Sequence, residues 1–306
     1  MYRFILRRIL WSIPVLFILS LITFFLMHSI PGGPFDTEKQ VPKEIKANLE
    51  RKYRLDQPLW RQYMEYSWGI VRHLDFGPSY ASRSRTVNDI IKDHLPVSAQ
   101  LGALALAIAI GTGVPLGIIA ALKQNTYIDY ASTFLAILGR SIPSLALGPF
   151  LIWIFALKLH LLPVATWETP QHMILPAITL GAAESALLAR LTRASMLQVL
   201  REDYIRTAWA KGLPRPSIML RHALKNALIP VITVMGPLFA VIITGTFIVE
   251  YIFAIPGLGR YFITSIGNRD YPVIMGTSLL FGFFIIAANL LVDISYAFID
   301  PRIRYQ

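Results

Sequence analysis

Three ionisable side chains stand inside long apolar runs of this 306-residue sequence: Arg140, Glu184 and Asp293. A charge held in hydrocarbon is costly, so such residues usually pair with one another or line a path for substrate or ions. If the runs are helices, Arg140 lies about six residues into its run and Glu184 about nine residues from Arg193, which at roughly 1.5 Å per residue gives similar depths. Arg140 and Glu184 are therefore a candidate polar pair, facing one another or a shared cavity. The plainer readings are snorkelling by Arg140 and a local partner for Glu184. Asp293 is close enough to the end of its run to serve helix packing.

Covalent and metal chemistry have no residues to work with. His28, His73, His94, His160, His172 and His222 show no metal-ligand spacing, no Gly-x-x-x-x-Gly-Lys phosphate loop occurs, and no Ser-His-Asp set converges in one segment. With no cysteine there is no disulfide or thiolate site. The chain is expected to be no enzyme, to hold no metal or cofactor of its own, and not to hydrolyse ATP itself.

The other unusual segment is basic. Residues 190–225 carry eight Lys or Arg against Glu202 and Asp203. The pattern predicts a helix with Leu191, Met196, Leu200 and Tyr204 on one side, then Ala208 and Ala210, a break at Lys211-Gly212-Leu213-Pro214, and a second helix from Ser217 to Lys225. A helix, a glycine turn and a second helix make a knob, and a knob this organised points to a protein partner over a merely solvated face.

The elements that must position these residues follow from composition. With 55% hydrophobic residues and a mean hydropathy of +0.53, the chain is too apolar for a water-soluble surface. The apolar residues fall into six runs, near 9–30, 97–121, 134–157, 172–192, 227–249 and 273–297, each long enough to span about 30 Å of hydrocarbon as a helix. The first ends in Pro31-Gly32-Gly33-Pro34 with no small-x-small cleavage site, which makes it a retained span and not a signal peptide. The net charge of +11 sits beside the runs, at Arg3, Arg7 and Arg8, in 190–225, and at Arg302 and Arg304. That is the positive-inside distribution; it argues against nucleic-acid binding and puts both termini and the knob in the cytoplasm.

The expected fold is an all-α polytopic membrane protein. Residues 1–30 form the cytoplasmic N-terminus and first span, 31–96 a small external domain, 97–297 a five-helix core with the loop 190–225, and 298–306 a cytoplasmic tail. Prolines and glycines inside the spans (Pro14, Gly111, Gly113, Pro115, Pro143, Pro149, Pro176, Pro237) are tolerated in membrane helices; they read as packing sites, with close helix contact at Gly102, Gly111 and Gly113, or as hinges.

The segment 35–95 is nearly charge-balanced, eleven Lys or Arg against nine Asp or Glu. Pro42 and Pro58 each start a short amphipathic helix, carrying Ile45, Leu49 and Tyr53 in the first and Leu59, Tyr63 and Tyr66 in the second. Asp75-Phe76-Gly77-Pro78 is a turn, and Thr86 with Asp89 resembles a capping box for a helix carrying Val87, Ile90 and Ile91. The last loop, 250–271, mixes Ile252, Phe253, Ile255, Pro256, Gly257, Leu258 and Gly259 and is expected to re-enter or to lie on the mouth of the bundle, where irregular backbone can be buried in protein. Asp75, Phe76, Gly77, Pro256, Gly257 and Gly259 form a candidate external docking surface or gate.

These residues, taken together, resemble the B-type permease subunits of bacterial oligopeptide and dipeptide ABC importers, essentially from end to end. The likeness rests on Pro31-Gly32-Gly33-Pro34-Phe35, Tyr53-Arg54-Leu55-Asp56-Gln57-Pro58-Leu59, Asp75-Phe76-Gly77-Pro78-Ser79, Ile142-Pro143-Ser144, Asp203-Tyr204-Ile205-Arg206-Thr207-Ala208, Arg221-His222-Ala223-Leu224-Lys225-Asn226-Ala227, Pro256-Gly257-Leu258-Gly259, Arg269-Asp270-Tyr271-Pro272 and Asp300-Pro301-Arg302-Ile303, in this order. The resemblance implies a type I ABC importer permease fold in the bacterial inner membrane. It also implies that the knob is the family's EAA loop, which docks on an ATPase subunit, with Arg206, Thr207, Ala208, Lys211, Gly212 and Leu213 at the contact. The Glu of the general motif is absent, Arg206 standing in its place, and its later Pro falls on Lys225, the nearest being Pro230. The implied partners are a second, homologous permease, two ABC ATPases that use ATP and Mg, and an external peptide-binding protein; the implied mechanism is alternating access.

The Phe35-Asp36-Thr37-Glu38-Lys39 stretch and Pro78 after Gly77 look more like the oligopeptide branch than the dipeptide, nickel or glutathione branches. From other classes, an ion-coupled secondary transporter would explain the spans and buried charges but would usually carry an inverted repeat, which is not seen. A structural scaffold would need no hydrated path.

Overall fold

The computed structural model describes residues 2–36, 42–82 and 84–299, with side chains for all but 2–4, 43, 236–237, 240–241, 243–245 and 292–299. The Thr37-Glu38-Lys39 stretch, the side chains of Arg3, Pro237 and Asp293, and the tail with Asp300-Pro301-Arg302-Ile303 and Arg304 lie outside the described residues. In chain order the helices are α1 (Tyr2–Ser29), α2 (Lys43–Lys52), α3 (Leu59–His73), α4 (Val87–Leu122), α5 (Tyr127–Ser141), α6 (Ser144–Leu151), α7 (Pro170–Val199), α8 (Asp203–Ala210), α9 (Arg215–Ser217), α10 (Leu224–Ala227), α11 (Ile229–Ile252), α12 (Leu258–Gly267) and α13 (Tyr271–Ile299). Wider π turns follow α6 at Ile152–Lys158 and α9 at Ile218–Ala223. Among the described residues the β structure is one isolated bridge between Pro78 and Thr86.

Among the described residues, four helical stretches are long and apolar enough to cross a membrane: Ile5–Ser29, Val87–Leu122, Pro170–Val199 and Tyr271–Leu291. Two bent pairs raise the number to as many as six. One of them replaces the single span predicted over 134–157. Pro143 crowds the residue before it out of the helical region, Ile142 is extended at φ −93° and ψ 114°, and the chain turns by 104° between Tyr127–Ser141 and Ser144–Lys158. Pro149 then withholds one backbone donor and the helix relaxes into π turns. The second span starts earlier than predicted: the Thr86–Asp89 box forms, with Asp89 N–H donating to Thr86 Oγ1 at 3.2 Å and Thr86 N–H to Asp89 Oδ2 at 3.0 Å, and α4 runs unbroken through Pro96 for 36 residues. Pro42 and Pro58 each precede their helix by one residue.

The described chain divides into two compact units, one built mainly on 99–255 and the other on 2–98 with 256–286. In the first, α7 is the central element, and small residues let its neighbours approach at backbone distance. A Cβ added at Gly113 would lie 2.5 Å from the Ser185 carbonyl oxygen, and one at Gly117 the same distance from that of Ala189. Gly181 of α7 would meet the Ala105 carbonyl at 2.7 Å, and Gly139 of α5 that of Ala182 at 3.1 Å. Of the close contacts expected at Gly102, Gly111 and Gly113, only that at Gly113 is of this kind. Gly111 has nothing within 4 Å, and Gly102 meets the Ile242 side chain at an ordinary 3.6 Å.

In the second unit, Tyr63 and Tyr66 of α3 pack against Phe24 and Met27 of α1 and Tyr271, Ile274 and Met275 of α13. Tyr63 also hydrogen-bonds Ser20 through its hydroxyl at 2.6 Å. Tyr63 and Tyr66 of the predicted apolar face of α3 thus turn towards α1 and α13, whereas Leu59, predicted with them, is exposed.

The glycine pair on α4 separates packing from propensity. Gly117→Ala is expected to lower the thermal stability of the detergent-solubilised chain by about 1–3 kcal/mol through overpacking. Gly111→Ala should leave it unchanged or slightly raised, because only helix propensity changes there. Melting of the two variants beside the parent checks the difference.

Candidate functional site

The knob forms, with different joints from those predicted. α7 ends at Val199 instead of running on through Tyr204; Leu200 is its cap, Glu202 is extended, and α8 starts at Asp203. After α8 the chain reverses through a Schellman turn: Gly212 N–H donates to the Trp209 carbonyl at 2.9 Å and Leu213 N–H to the Ala208 carbonyl at 3.3 Å. Gly212 adopts φ +73° with nothing within 4 Å of its missing Cβ, so glycine is needed there for conformation and not for space.

The knob has its own core. Ile205, Ala208, Ile218, Ala223 and Ala227 are buried with Met196 from the last turns of α7 and Ala121 from the end of α4, and Leu213 packs partly against them. Of the predicted contact residues, Ala208 is therefore inside and Leu213 half inside, whereas Arg206, Thr207, Lys211 and Gly212 are exposed, as are Tyr204 and Trp209. Arg206 makes only an exposed 3.5 Å pair with Asp203, which contributes little. An exposed face with Arg206, Thr207, Trp209 and Lys211 remains on a rigid support.

The charged contact between α5 and α7 is not the predicted one. Arg140 is exposed at the last turn of α5, before the bend, and Glu184 is half-buried on α7; no ion-pair contact joins them among the described residues. The clamp is Asp129 with Arg193. Arg193 donates through Nε to Asp129 Oδ1 at 2.5 Å and through Nη2 to Oδ2 at 2.7 Å, Asp129 is 2% exposed, and Asn125 N–H adds a third bond at 3.0 Å.

The predicted docking or gate residues are all in the second unit. Asp75 is exposed and accepts from Gly77 N–H at 2.9 Å, Gly77 adopts φ +82°, and Phe76 N–H donates to Asn88 Oδ1 at 2.9 Å. The Phe76 ring lies against Gly276 of α13, where a Cβ would come within 3.3 Å of it. The Pro256 carbonyl accepts from His94 Nδ1 at 2.7 Å and Leu258 N–H donates to Ser98 Oγ at 2.8 Å. Gly257 and Gly259 are buried at the start of α12, so the last loop is a turn and an ordered helix. Both segments are held by the first turns of α4; no bond joins one to the other among the described residues.

Asp270 does most of the anchoring. Buried at 2% exposure, its carboxylate accepts from Ser79 Oγ, from Tyr80 N–H at 3.0 Å and from Ala81 N–H at 3.1 Å. Burial pushes the Tyr80 phenol up from the ordinary tyrosine range, and the Asp270 charge pushes the same way.

Residues 113–305 match the family described as "Binding-protein-dependent transport system inner membrane component", and residues 1–102 match "Binding-prot-dependent transport system membrane comp, N-term". The chain belongs to this permease family. The dipeptide transport system permease protein DppB of Bacillus subtilis (strain 168) is 48% identical over 99% of the chain and 98% of its own length. The oligopeptide transport system permease protein OppB of Escherichia coli (strain K12) is also 48% identical, over all of both chains. The glutathione transport system permease protein GsiC of Shigella flexneri serotype 5b is 41% identical over the full length of both. A crystal structure of an amino acid ABC transporter with histidines superposes with a TM-score of 0.55 at 17% identity, over 68% of this chain and 92% of that one, which supports the permease fold.

Within this permease fold the reading of the sequence missed Asp129, Asp270 and Glu250, the last fully buried in the final turn of α11 where a loop was expected to begin. Asp129 and Asp270 each open a helix after a turn and read as surface charges; Arg193 at the depth of Asp129 was the available signal. Asp129→Ala leaves the guanidinium without its partner and is expected to lower stability by about 3 kcal/mol. Thermal melting checks this, and Arg140→Ala, lacking a direct contact, should shift it by less than about 0.5 kcal/mol.

Proposed function

We propose that this chain is a pore-forming permease subunit of an ATP-driven importer that moves peptides across the bacterial cytoplasmic membrane. The observation that carries the reading is the end-to-end identity of 48% to both a dipeptide and an oligopeptide permease, over a chain whose helices can cross a membrane four to six times. Because both relatives match equally, the preference for oligopeptides rests on Phe35–Lys39 and on Pro78 after Gly77.

In this reading there are six spans: α1, α4, the bent pair of α5 and α6 with its π turns, α7, the helix pair entering α11, and α13. Both termini and the knob are cytoplasmic, in keeping with the eight basic residues of 190–225. Residues 31–96, with α2 and α3, form the external domain, where the segments around Phe76 and Pro256 meet a peptide-binding protein or close the pore. The partners are a second permease of this kind and two ATPases, which bind Mg and ATP.

The exposed face of α8, with Arg206, Thr207 and Lys211, docks on an ATPase. Its support is the knob core: Met196 of α7 and Ala121 of α4 share one buried cluster with Ile205 and Ala208, so a push on α8 is delivered to two long helices. Alternating access then requires the ATPases to hold the two arrangements of these helices with different strength.

The chain reconstituted in vesicles with the second permease, the ATPases and the binding protein should take up labelled peptide only with ATP. Gly212→Val, which forces a β-branched residue into φ +73°, should cut peptide-stimulated ATP hydrolysis about tenfold or more. Gly212→Asn should retain most of it, since Asn tolerates that conformation. Peptide uptake by the chain alone, driven by an ion gradient, would replace this reading with a secondary transporter.

A further inference from the structure

The second unit contains a cavity of about 170 Å³ that none of the contacts above uses. It lies among α1, α3 and the start of α13, with the chain after α2 at its rim. Phe24, Tyr53, Tyr66, Tyr80 and Tyr271 supply its walls. A cavity of about 150 Å³ takes up one benzene ring, so the space suits a single aromatic group.

Its polarity is more specific than its size. His28 Nδ1 lies 2.8 Å from the Phe24 carbonyl oxygen, and a carbonyl can only accept, so when the ring carries a single proton it sits on Nδ1 and Nε2 is the acceptor. That Nε2 is buried and has no partner among the described residues. The Tyr66 hydroxyl is likewise buried and unpartnered. Both residues line the cavity. Buried polar groups are nearly always satisfied, so two without protein partners in one cavity are available to a bound molecule.

Charge narrows the ligand further. The charged residues lining the cavity are Arg54 and Glu65, which bond to each other at 2.8 Å and so leave no net charge for an ion. Gln62 spends its amide donors on the Leu55 and Gln57 carbonyls, at 3.0 and 2.7 Å. The occupant must therefore be neutral and must bring its own donor to His28.

We propose that this cavity is a binding site for one neutral aromatic ring carrying an O–H or N–H donor, a phenol or an indole, with the donor directed to His28 Nε2 and, for a phenol, the oxygen free to accept from the Tyr66 hydroxyl. The aromatic walls hold the ring by offset and edge contacts. A ring without a polar group would leave both polar atoms unsatisfied. The same chemistry is offered by a free phenol and by the side chain of tyrosine or tryptophan in a peptide. The proposal stands on the geometry of this unit and not on the transport reading.

The test is photolabelling of the full-length chain in lipid nanodiscs with 4-azidophenol, mapped by mass spectrometry. Labelling is expected in 53–66 and 271–275, with p-cresol competing about tenfold better than toluene, the effect of one hydrogen bond to an otherwise unsatisfied group. Tyr66→Phe and His28→Phe should each remove most of that preference while leaving competition by toluene unchanged. Should either variant fail to fold, the preference of the parent chain for cresol over toluene decides alone. Equal competition by cresol and toluene, or label spread over the apolar faces of α1 and α4, would overturn the proposal. Competition by a tyrosine tripeptide but not its phenylalanine counterpart would support the site with a peptide side chain as occupant, and competition by cresol alone would support it with a free phenol.

Discussion

The first unit depends on how closely two helices, α4 and α5, can approach α7. Lipid tails are as apolar as leucine, so membrane helices gain little from hiding apolar surface from one another; what holds them is close packing. Gly113 and Gly117 on α4, Gly139 on α5 and Gly181 on α7 bring backbones to distances at which a methyl group would meet a carbonyl oxygen. At one end of this seam, the Asp129–Arg193 pair fixes α5 to α7 through a bidentate bond. α7 thus becomes a rigid element with two neighbours bound along its length.

That rigidity gives the knob its meaning. Its core is completed by Met196 and Leu197 near the end of α7 and by Ala121 and Leu122 at the end of α4, so the short helices α8 to α10 rest on the helices that pack along the small-residue stripe. Gly212 closes the turn between α8 and α9 at φ +73° and lets Leu213 fold back onto Ala208. In the second unit a different device serves: a buried carboxylate, Asp270, gathers the hydroxyl of Ser79 and the backbone of Tyr80 and Ala81, and holds a polar segment in place without a large apolar core.

Much of this was legible in the residues. The apolar runs marked the long helices, the Thr86–Asp89 box opened α4, and Tyr63 and Tyr66 named the side of α3 that packs on α1 and α13. Gly212 was recognisable because a helix must end there and glycine alone enters positive φ freely. The misses have physical causes. Hydropathy averages over residues, so it ran straight through Ile142-Pro143 although the proline turns the chain by 104°. A glycine in a membrane helix looks the same whether it meets a backbone, as Gly117 does, or open space, as Gly111 does. Buried acids are the hardest: Asp129 and Asp270 stand in polar stretches, and only the partner from a distant segment, Arg193 or Ser79, distinguishes them from surface charges.

The central claim is that the exposed face of α8 is gripped by an ATPase while its buried face transmits the force. The chain has no cysteine, so a single one can report on each position. With the ATPase subunits co-expressed, a cysteine at Thr207 should cross-link to an ATPase and one at the buried Ala208 should not, with the Thr207 cross-link changing in yield when ATP is bound. The account would be contradicted by no ATPase captured at Thr207, or by equal capture at both positions with and without ATP.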